Sequence, residues 1–318
     1  MRKIIGSSLE NFPRLWVKSY PFPKEVLALA DLASQDIGME IFLGGNFEEN
    51  QECVKICRDS YPRWGVELFC YQGEEKRKAE VIYDPLSPDR AVRELSRSYL
   101  FNALDLALKY GASHLQLDGN DGYRTKLEPM VDSKDIVVAI KRKKGLLLEI
   151  REQFGEFPIY FENTIPIDLH APSLMSLTGH RLSDFWKQGL PLEYDLAHHA
   201  LALDIYSRAH ELWFPLTEEE TSLGQRVKEV GITGVILEDL ALFPEIYFAH
   251  LSNAARFSVG TKSDITPEDP TQSLIDLVKV IPVLIRKARN ITPEVEDKEY
   301  IQRPNLRQWI KKLQDYKK

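Results

Sequence analysis

The sequence contains little cysteine and no long apolar run. Its 318 residues include only three cysteines, Cys53, Cys57 and Cys70, and this small, odd set does not suggest the disulfide framework of a secreted protein. No uncharged apolar stretch approaches the roughly 20 residues that a membrane-spanning helix needs, and the stretch after Met1 is too short for a signal peptide. We therefore expect a cytoplasmic protein that does not enter a membrane.

The sequence also lacks an excess of basic residues. Lysine and arginine number 41 against 48 aspartates and glutamates, which gives a formal net charge of −7. A chain with this balance has no general positive field that would attract a polyanion, so nucleic acid is disfavoured as a partner. The hydrophobic content of 43% is ordinary for a chain that buries a sizeable core.

Short apolar runs alternate with helical patterns along nearly the whole chain. This alternation is typical of repeated βαβ units, and eight such units in a chain of this length predict an α/β fold, the closed (β/α)8 TIM barrel. The open doubly wound sheet is less favoured, because no G-x-G-x-x-G follows the first run. The predicted strands lie in KIIGSSL, MEIFLGG, VELFCYQG, SHLQLDG, FPIYFENT, LPLEYDLAH, EIYFAHLSN and NITPEV.

Three segments modify this single-domain prediction for residues 1–318. Residues 200–244 form a longer connection than one crossover helix needs, so we expect a helical insertion or a lid over the barrel mouth. Pro293 removes a backbone donor from the last predicted strand, which is awkward in a closed barrel. The basic run at 141–144, KRKK, is interpreted as the exposed face of a helix.

Four consecutive predicted strands end in residues that can bind a metal. They supply Glu162, Asp195 followed by His198, His250, and Glu294. Each has an ordinary explanation when taken alone; Asp195, for example, could simply cap the helix after it. Catalytic groups of TIM barrels lie at the carboxyl ends of the strands, so the four are expected to meet. Glu296 has the same strand parity as Glu294 and is an alternative to it.

Three acids facing one point would repel one another in a partly buried pocket, so we predict a cation between them. The mostly oxygen donor set suits one divalent ion, Mn²⁺, Mg²⁺ or Co²⁺, with Zn²⁺ as an alternative. Such an ion acidifies a C–H beside a substrate carbonyl and stabilises the enediolate that forms. Glu162 and Glu294 lie on non-adjacent strands and suit the removal and return of the proton.

The order FEN, then D-x-x-H, then a strand-end HLS, then a final strand with Glu resembles the xylose isomerase-like TIM barrels. This superfamily contains sugar isomerases and epimerases, inosose dehydratases and endonuclease IV-type AP endonucleases. The resemblance to its ketose 3-epimerases implies Glu162, Asp195, His250 and Glu294 as metal ligands, with the two glutamates also transferring the proton. It further implies that His198 and Arg256 bind substrate oxygens. His199 matches nothing in the pattern and is interpreted as structural.

The sequence departs from the superfamily at other strand ends. LGGN, CYQG and SVGTKSD stand where the endonucleases need histidines, so an AP endonuclease is disfavoured. Asn253 stands where many epimerase relatives carry an acid. The leading prediction is a metal-dependent isomerase or epimerase of a sugar or polyol. An inosose-type dehydratase and a sugar-binding barrel without catalysis are the alternatives, and a homo-oligomer is left open.

Overall fold

The structure of the protein is a computed structural model. The description covers residues 13–20, 22–43, 47–68, 85–86, 90–118, 123–124, 133–166, 175–176, 179–212, 216–256, 264–265, 273–295 and 301–316.

Eight parallel strands form a closed barrel. Each strand pairs with its neighbours in sequence order, and the last pairs with the first. This arrangement confirms the predicted (β/α)8 TIM barrel. The strands are β1 Arg14–Ser19, β2 Gly38–Leu43, β3 Trp64–Leu68, β4 Leu115–Asp118, β5 Ile159–Glu162, β6 Leu192–Asp195, β7 Ile246–Leu251 and β8 Ala288–Pro293.

The first strand was predicted in the wrong place. The barrel uses β1, RLWVKS, whereas the predicted run KIIGSSL at 3–9 lies outside the described residues. In β1 the apolar Leu15 and Val17 are buried together with Trp16, and prolines at positions 13 and 21 flank the strand. A strand bracketed by proline was therefore visible in the sequence, but its two basic residues make it look less β-like than the earlier run.

Helices fill the connections between strands and pack on the outside of the barrel. None of the helices in the described part of the chain combines the length and apolar character that crossing a membrane requires. The helices are α1 Pro23–Ala28, α2 Ala30–Ala33, α3 Phe47–Ser60, α4 Arg90–Tyr110, α5 Ser133–Phe154, α6 Leu182–Gln188, α7 Leu196–Ser207, α8 Ala209–Leu212, α9 Glu218–Leu242, α10 Leu277–Lys287 and α11 Pro304–Asp315. Two-residue strands pair Tyr123–Arg124 with Met175–Ser176 and Asn253–Ala254 with Asp264–Ile265.

The long connection between β6 and β7 is helical, and it contains α7, α8 and α9. Helix α9 begins with a capping box between Thr217 and Glu220 and is interrupted at Gly231, where φ is 77°. The apolar residues Val235, Ile236 and Leu240 in its second half are buried. The helical content was expected; the single-domain boundary and the lid over the mouth stay predictions.

Two local features differ from a simple interpretation of the sequence. Pro293 fits the barrel because it is the last residue of β8, beside Leu251, where the ladder ends. Lys143 in the basic run is not exposed: its side chain is fully buried and its ammonium lies 4.9 Å from the centre of the Phe185 ring. The interpretation of this run as a solvated face is therefore wrong at Lys143. Cys53 and Cys57 are buried on α3 and are not joined in a disulfide.

An aromatic layer fills the barrel toward the amino ends of the strands. We define this layer as Trp16, His114, Tyr160 and Phe248; the His114 and Phe248 rings are 4.2 Å apart and the Trp16 and His114 rings 5.1 Å apart. A Cβ at position 65 would overlap the His114 imidazole, so Gly65 is required there for close packing. The layer thus fills the barrel interior below the carboxyl ends of the strands with closely packed rings.

Candidate functional site

The four predicted ligands meet around His250 at the carboxyl end of the barrel. The His250 Nδ1 atom lies 3.2 Å from Glu162 Oε1, 3.3 Å from Glu294 Oε1 and 3.9 Å from Asp195 Oδ2. Glu162, Asp195 and His250 form a compact group whose ligand atoms all lie within 4.8 Å of one another. The carboxyl ends of β5, β6 and β7 thus bring Glu162, Asp195 and His250 together, and Glu294, which directly follows β8, lies beside them.

The other nitrogen of His250 is held by two acids deeper in the barrel. His250 Nε2 lies 2.6 Å from Glu193 Oε1 and 3.1 Å from Glu40 Oε2, and all three residues are fully buried. A carboxylate on one imidazole nitrogen fixes the ring, so the other nitrogen, Nδ1, is directed toward the Glu162, Asp195 and Glu294 carboxylates. Burial alone would lower the pKa of His250, but Glu193 and the other acids outweigh it and raise that pKa well above its usual value.

Asp195 combines a helix cap with a place in the site. Its Oδ1 accepts the backbone N–H of His198 at 2.7 Å, which caps α7, and the hydroxyl of Ser252 donates to the same carboxylate at 3.3 Å. The Asn163 side chain binds the backbone of Asp195 on both sides, accepting from its N–H at 2.7 Å and donating to its carbonyl at 2.9 Å. The cap explanation therefore applies to this residue, and the same carboxylate also lies in the group around His250.

His198 lies on the rim of the same group. Its Nδ1 lies 2.7 Å from the carbonyl oxygen of Asn163, so this nitrogen carries the proton and donates it. The same nitrogen is 3.6 Å from Glu162 Oε1, and the side chain is 20% exposed. His198 is thus partly open to the barrel mouth, where a substrate would enter.

A lysine and three acids inside the barrel were not predicted from the sequence. Lys18 of β1 forms an ion pair with Glu67 Oε2 at 2.6 Å and a second, short one with Glu294 Oε1. Glu40 also contacts the aromatic layer, because its carboxylate lies 3.4 Å from His114 Nε2. These residues, with Glu193, lie within strands rather than at their ends, and period-2 alternation gives no means of telling an inward acid from a solvated one. We call the charged layer the set Lys18, Glu40, Glu67, Glu162, Glu193, Asp195, His250 and Glu294.

The charged layer holds more negative than positive groups. Among the described residues it brings six carboxylates together with Lys18 and His250. Burial raises the pKa of Asp195 to about 7, with the Glu294 and Glu162 carboxylates adding to the shift, and burial raises that of Glu193 to about 8. Carboxylates resist ionisation where too few positive charges lie near them. His250 Nδ1 and the carboxylate oxygens beside it therefore fit a divalent cation.

The candidate Arg256 and the histidine interpreted as structural, His199, both stand apart from this group. Arg256 is not brought into it: the side chain is 66% exposed and its guanidinium lies 3.4 Å from Glu211 Oε2. His199 is fully buried behind the strands, where Nδ1 lies 2.9 Å from the Tyr194 hydroxyl. Glu296 lies outside the described residues, whereas Glu294 lies beside His250.

Comparison with known proteins gives matches in structure alone. No protein-family model matches the sequence, and no curated protein matches it. An L-ribulose 3-epimerase structure matches with a TM-score of 0.55 and 11% identity, over 96% of this chain and 95% of that one. The D-psicose 3-epimerase of Clostridium cellulolyticum, solved with D-tagatose, matches with a TM-score of 0.50 and 11% identity, over 96% of this chain and 98% of that one.

A third similar structure is a protein of Thermus thermophilus, TTHB071, solved after soaking with ZnCl2. Its TM-score is 0.52 at 15% identity, and the match covers 94% of this chain and 98% of that chain. These matches confirm the TIM-barrel fold that the sequence resemblance implied. Since identities this low define the fold alone, the activity has to be argued from the site itself.

Proposed function

We propose that the protein is a metal-dependent isomerase or epimerase of a sugar or polyol, working by proton transfer beside a carbonyl. The observation that carries the proposal is the placement of Glu162 and Glu294. Both carboxylates, from strands on either side of β6 and β7, reach the same nitrogen of His250. The ketose 3-epimerases of similar fold give the proposal its substrate class.

The proposed metal ligands are Glu162, Asp195, His250 and Glu294. A divalent ion held there would supply positive charge beside two neighbouring substrate oxygens, which lowers the energy of the enediolate. Glu193 and Glu40 keep the His250 ring in the orientation that presents Nδ1 to this ion. Asn163 and Ser252 hold Asp195 in the same way, so the donor set is in place before the ion arrives.

The proposed proton transfer uses the two glutamates in turn. One, as a carboxylate, takes the proton from the carbon beside the carbonyl, and the electron pair of that C–H bond moves into the enediolate. The other, as a carboxylic acid, returns a proton to carbon, so the two glutamates exchange protonation states in each turnover. We assign His198 to a substrate oxygen at the rim and Arg256 to an outer contact at the mouth.

The direct test has two stages. Elemental analysis of the purified protein, beside a variant with Glu162, Asp195, His250 and Glu294 all changed to alanine, should find about one divalent ion per chain in the wild type and none in the variant. The metal-loaded protein is then incubated in D2O with a panel of ketoses and inososes, and deuterium entering the substrate is measured. Metal without deuterium uptake for any of them would reject proton transfer as the function.

Glu294 and Glu296 provide a matched pair within that test. We expect Glu294→Gln to stop deuterium uptake and Glu296→Gln to leave it close to the wild-type rate, since Glu294 is the residue beside His250. The reverse result would move the proton-transfer role to Glu296. Appearance of a dehydrated product in place of an isomer would assign the lyase alternative.

A further inference from the structure

Lys18 occupies a position that a divalent ion would need. Its ammonium forms the short ion pair with Glu294 through Oε1, and that same Oε1 atom is the oxygen that lies 3.3 Å from His250 Nδ1. The ammonium itself lies 3.4 Å from His250 Nδ1. It therefore contacts two of the four proposed ligand atoms at the face where they meet.

Glu67 offers the ammonium a second partner besides Glu294. Glu67 Oε2 lies 2.6 Å from Lys18 Nζ, and both side chains are largely buried, with 8% and 10% of their surfaces exposed. The centre of the Phe42 ring also lies 4.6 Å from Nζ. The lysine can thus lose Glu294 and still keep a buried counter-charge, which a buried ammonium needs.

We propose that Lys18 is a tethered cation that competes with the divalent metal for Glu294, and that Glu67 holds it when the metal binds. The inference rests on the metal site of the proposed function. An ammonium and a divalent ion on one carboxylate oxygen repel each other strongly in a buried site, so binding of the ion displaces Lys18 toward Glu67. The exchange keeps the acids neutralised before the ion arrives, and the Lys18–Glu67 pair sets how tightly the ion is held.

The two members of this ion pair should change metal affinity in opposite directions. The dissociation constant of Mn²⁺ is measured by calorimetry and by electron paramagnetic resonance, with no sugar present. We expect Lys18→Gln to bind Mn²⁺ at least tenfold more tightly than the wild type, because the competitor is gone. Glu67→Gln should bind it at least tenfold more weakly, because Lys18 then depends on Glu294 alone.

Two further variants keep the test decisive if Lys18→Gln folds poorly. The charge-balanced double variant Lys18→Gln/Glu67→Gln should bind Mn²⁺ more tightly than Glu67→Gln alone. Lys279→Gln, which removes an exposed lysine paired with Asp276 at 2.8 Å, should leave the affinity unchanged. Circular dichroism establishes that each variant is folded.

The proposal is overturned if folded Lys18→Gln binds Mn²⁺ no more tightly than the wild type and the double variant binds it no more tightly than Glu67→Gln. It is also overturned if none of these proteins binds the ion. Since the readout is the change in Mn²⁺ affinity between variants, a failure in a protein that binds the ion is separate from a failure of the proposed proton transfer, which is judged by deuterium uptake. Tight Mn²⁺ binding by Lys18→Gln in a protein that exchanges no sugar proton would support this inference alone.

Discussion

The aromatic layer and the charged layer lie two residues apart on the same strands. Trp16 and Lys18 share β1, and Phe248 and His250 share β7, so each pair points to the same side of its strand. The aromatic layer is held by ring contacts with centroids near 5 Å apart. The charged layer is held by ion pairs of buried acids with a lysine and a histidine. TIM-barrel interiors are usually filled by branched apolar residues. The charged layer thus departs from what stability favours, and the proposed function gives a reason for it.

The largest expected effect comes from removing the charge of Glu162 in the charged layer. Glu162→Gln should lower the rate of deuterium uptake by about 10²–10⁴-fold, the usual worth of a positioned acid or base. Part of the metal should remain bound, because Asp195 and His250 are intact. Asp195→Asn is the companion variant and should lower metal content itself. Wild-type turnover in both variants would show that the site lies elsewhere.

The aromatic layer should show the opposite profile, with lost stability and retained metal binding. In Gly65→Ala the new methyl group meets the His114 ring, and overpacking of this kind costs about 1–3 kcal/mol of unfolding free energy. Gly145→Ala is the control, because its Cβ would enter open space in α5 and should stabilise the helix by up to about 1 kcal/mol. Urea unfolding gives both values, and a large loss of Mn²⁺ affinity in Gly65→Ala would show that the two layers are coupled.

The two layers also explain why only part of the molecule was predictable from sequence. The strand-end residues Glu162, Asp195 and His250 were found because a parallel barrel gathers the carboxyl ends of its strands at one rim. Lys18 and Glu67 were missed because a charged residue inside a strand is normally assigned to solvent. A metal was predicted as the positive charge that balances the acids, whereas the fold also places a lysine among them.

His199 and His250 extend the comparison to two fully buried histidines with opposite electrostatics. Burial lowers the pKa of His199 to about 3, and the carboxylate of Asp239, 3.8 Å from Nε2, does not offset it. The unfolded chain takes up the proton near the ordinary 6.5, so between pH 6.5 and about 3 it binds more protons than the folded protein. The contribution of His199 to stability is therefore fully present above pH 6.5 and is lost on acidification, by up to about 1.4 kcal/mol per pH unit.

Urea unfolding of wild type and His199→Gln at pH 7.5, 6 and 5 measures this contribution. The variant should be less stable at pH 7.5 by about 1–3 kcal/mol, since the Tyr194 hydroxyl loses its partner in a buried site. The difference should shrink as the pH falls. Parallel pH profiles for the two proteins would contradict the assigned pKa direction.

The smallest expected effect belongs to Arg256, which lies outside both layers. Arg256→Ala should raise KM by less than about tenfold and leave Mn²⁺ affinity unchanged, because the side chain is exposed and pairs with Glu211. Steady-state kinetics on whichever ketose exchanges deuterium measures the change. An unchanged KM would remove Arg256 from the substrate contacts.

The end of β8 fixes Glu294 through the backbone. Pro293 has a restricted φ and closes the strand, and the amide of Glu294 donates to the Leu251 carbonyl of β7 at 3.0 Å. The conformational entropy of the Glu294 backbone is therefore lost during folding and does not have to be lost again when a ligand binds beside it.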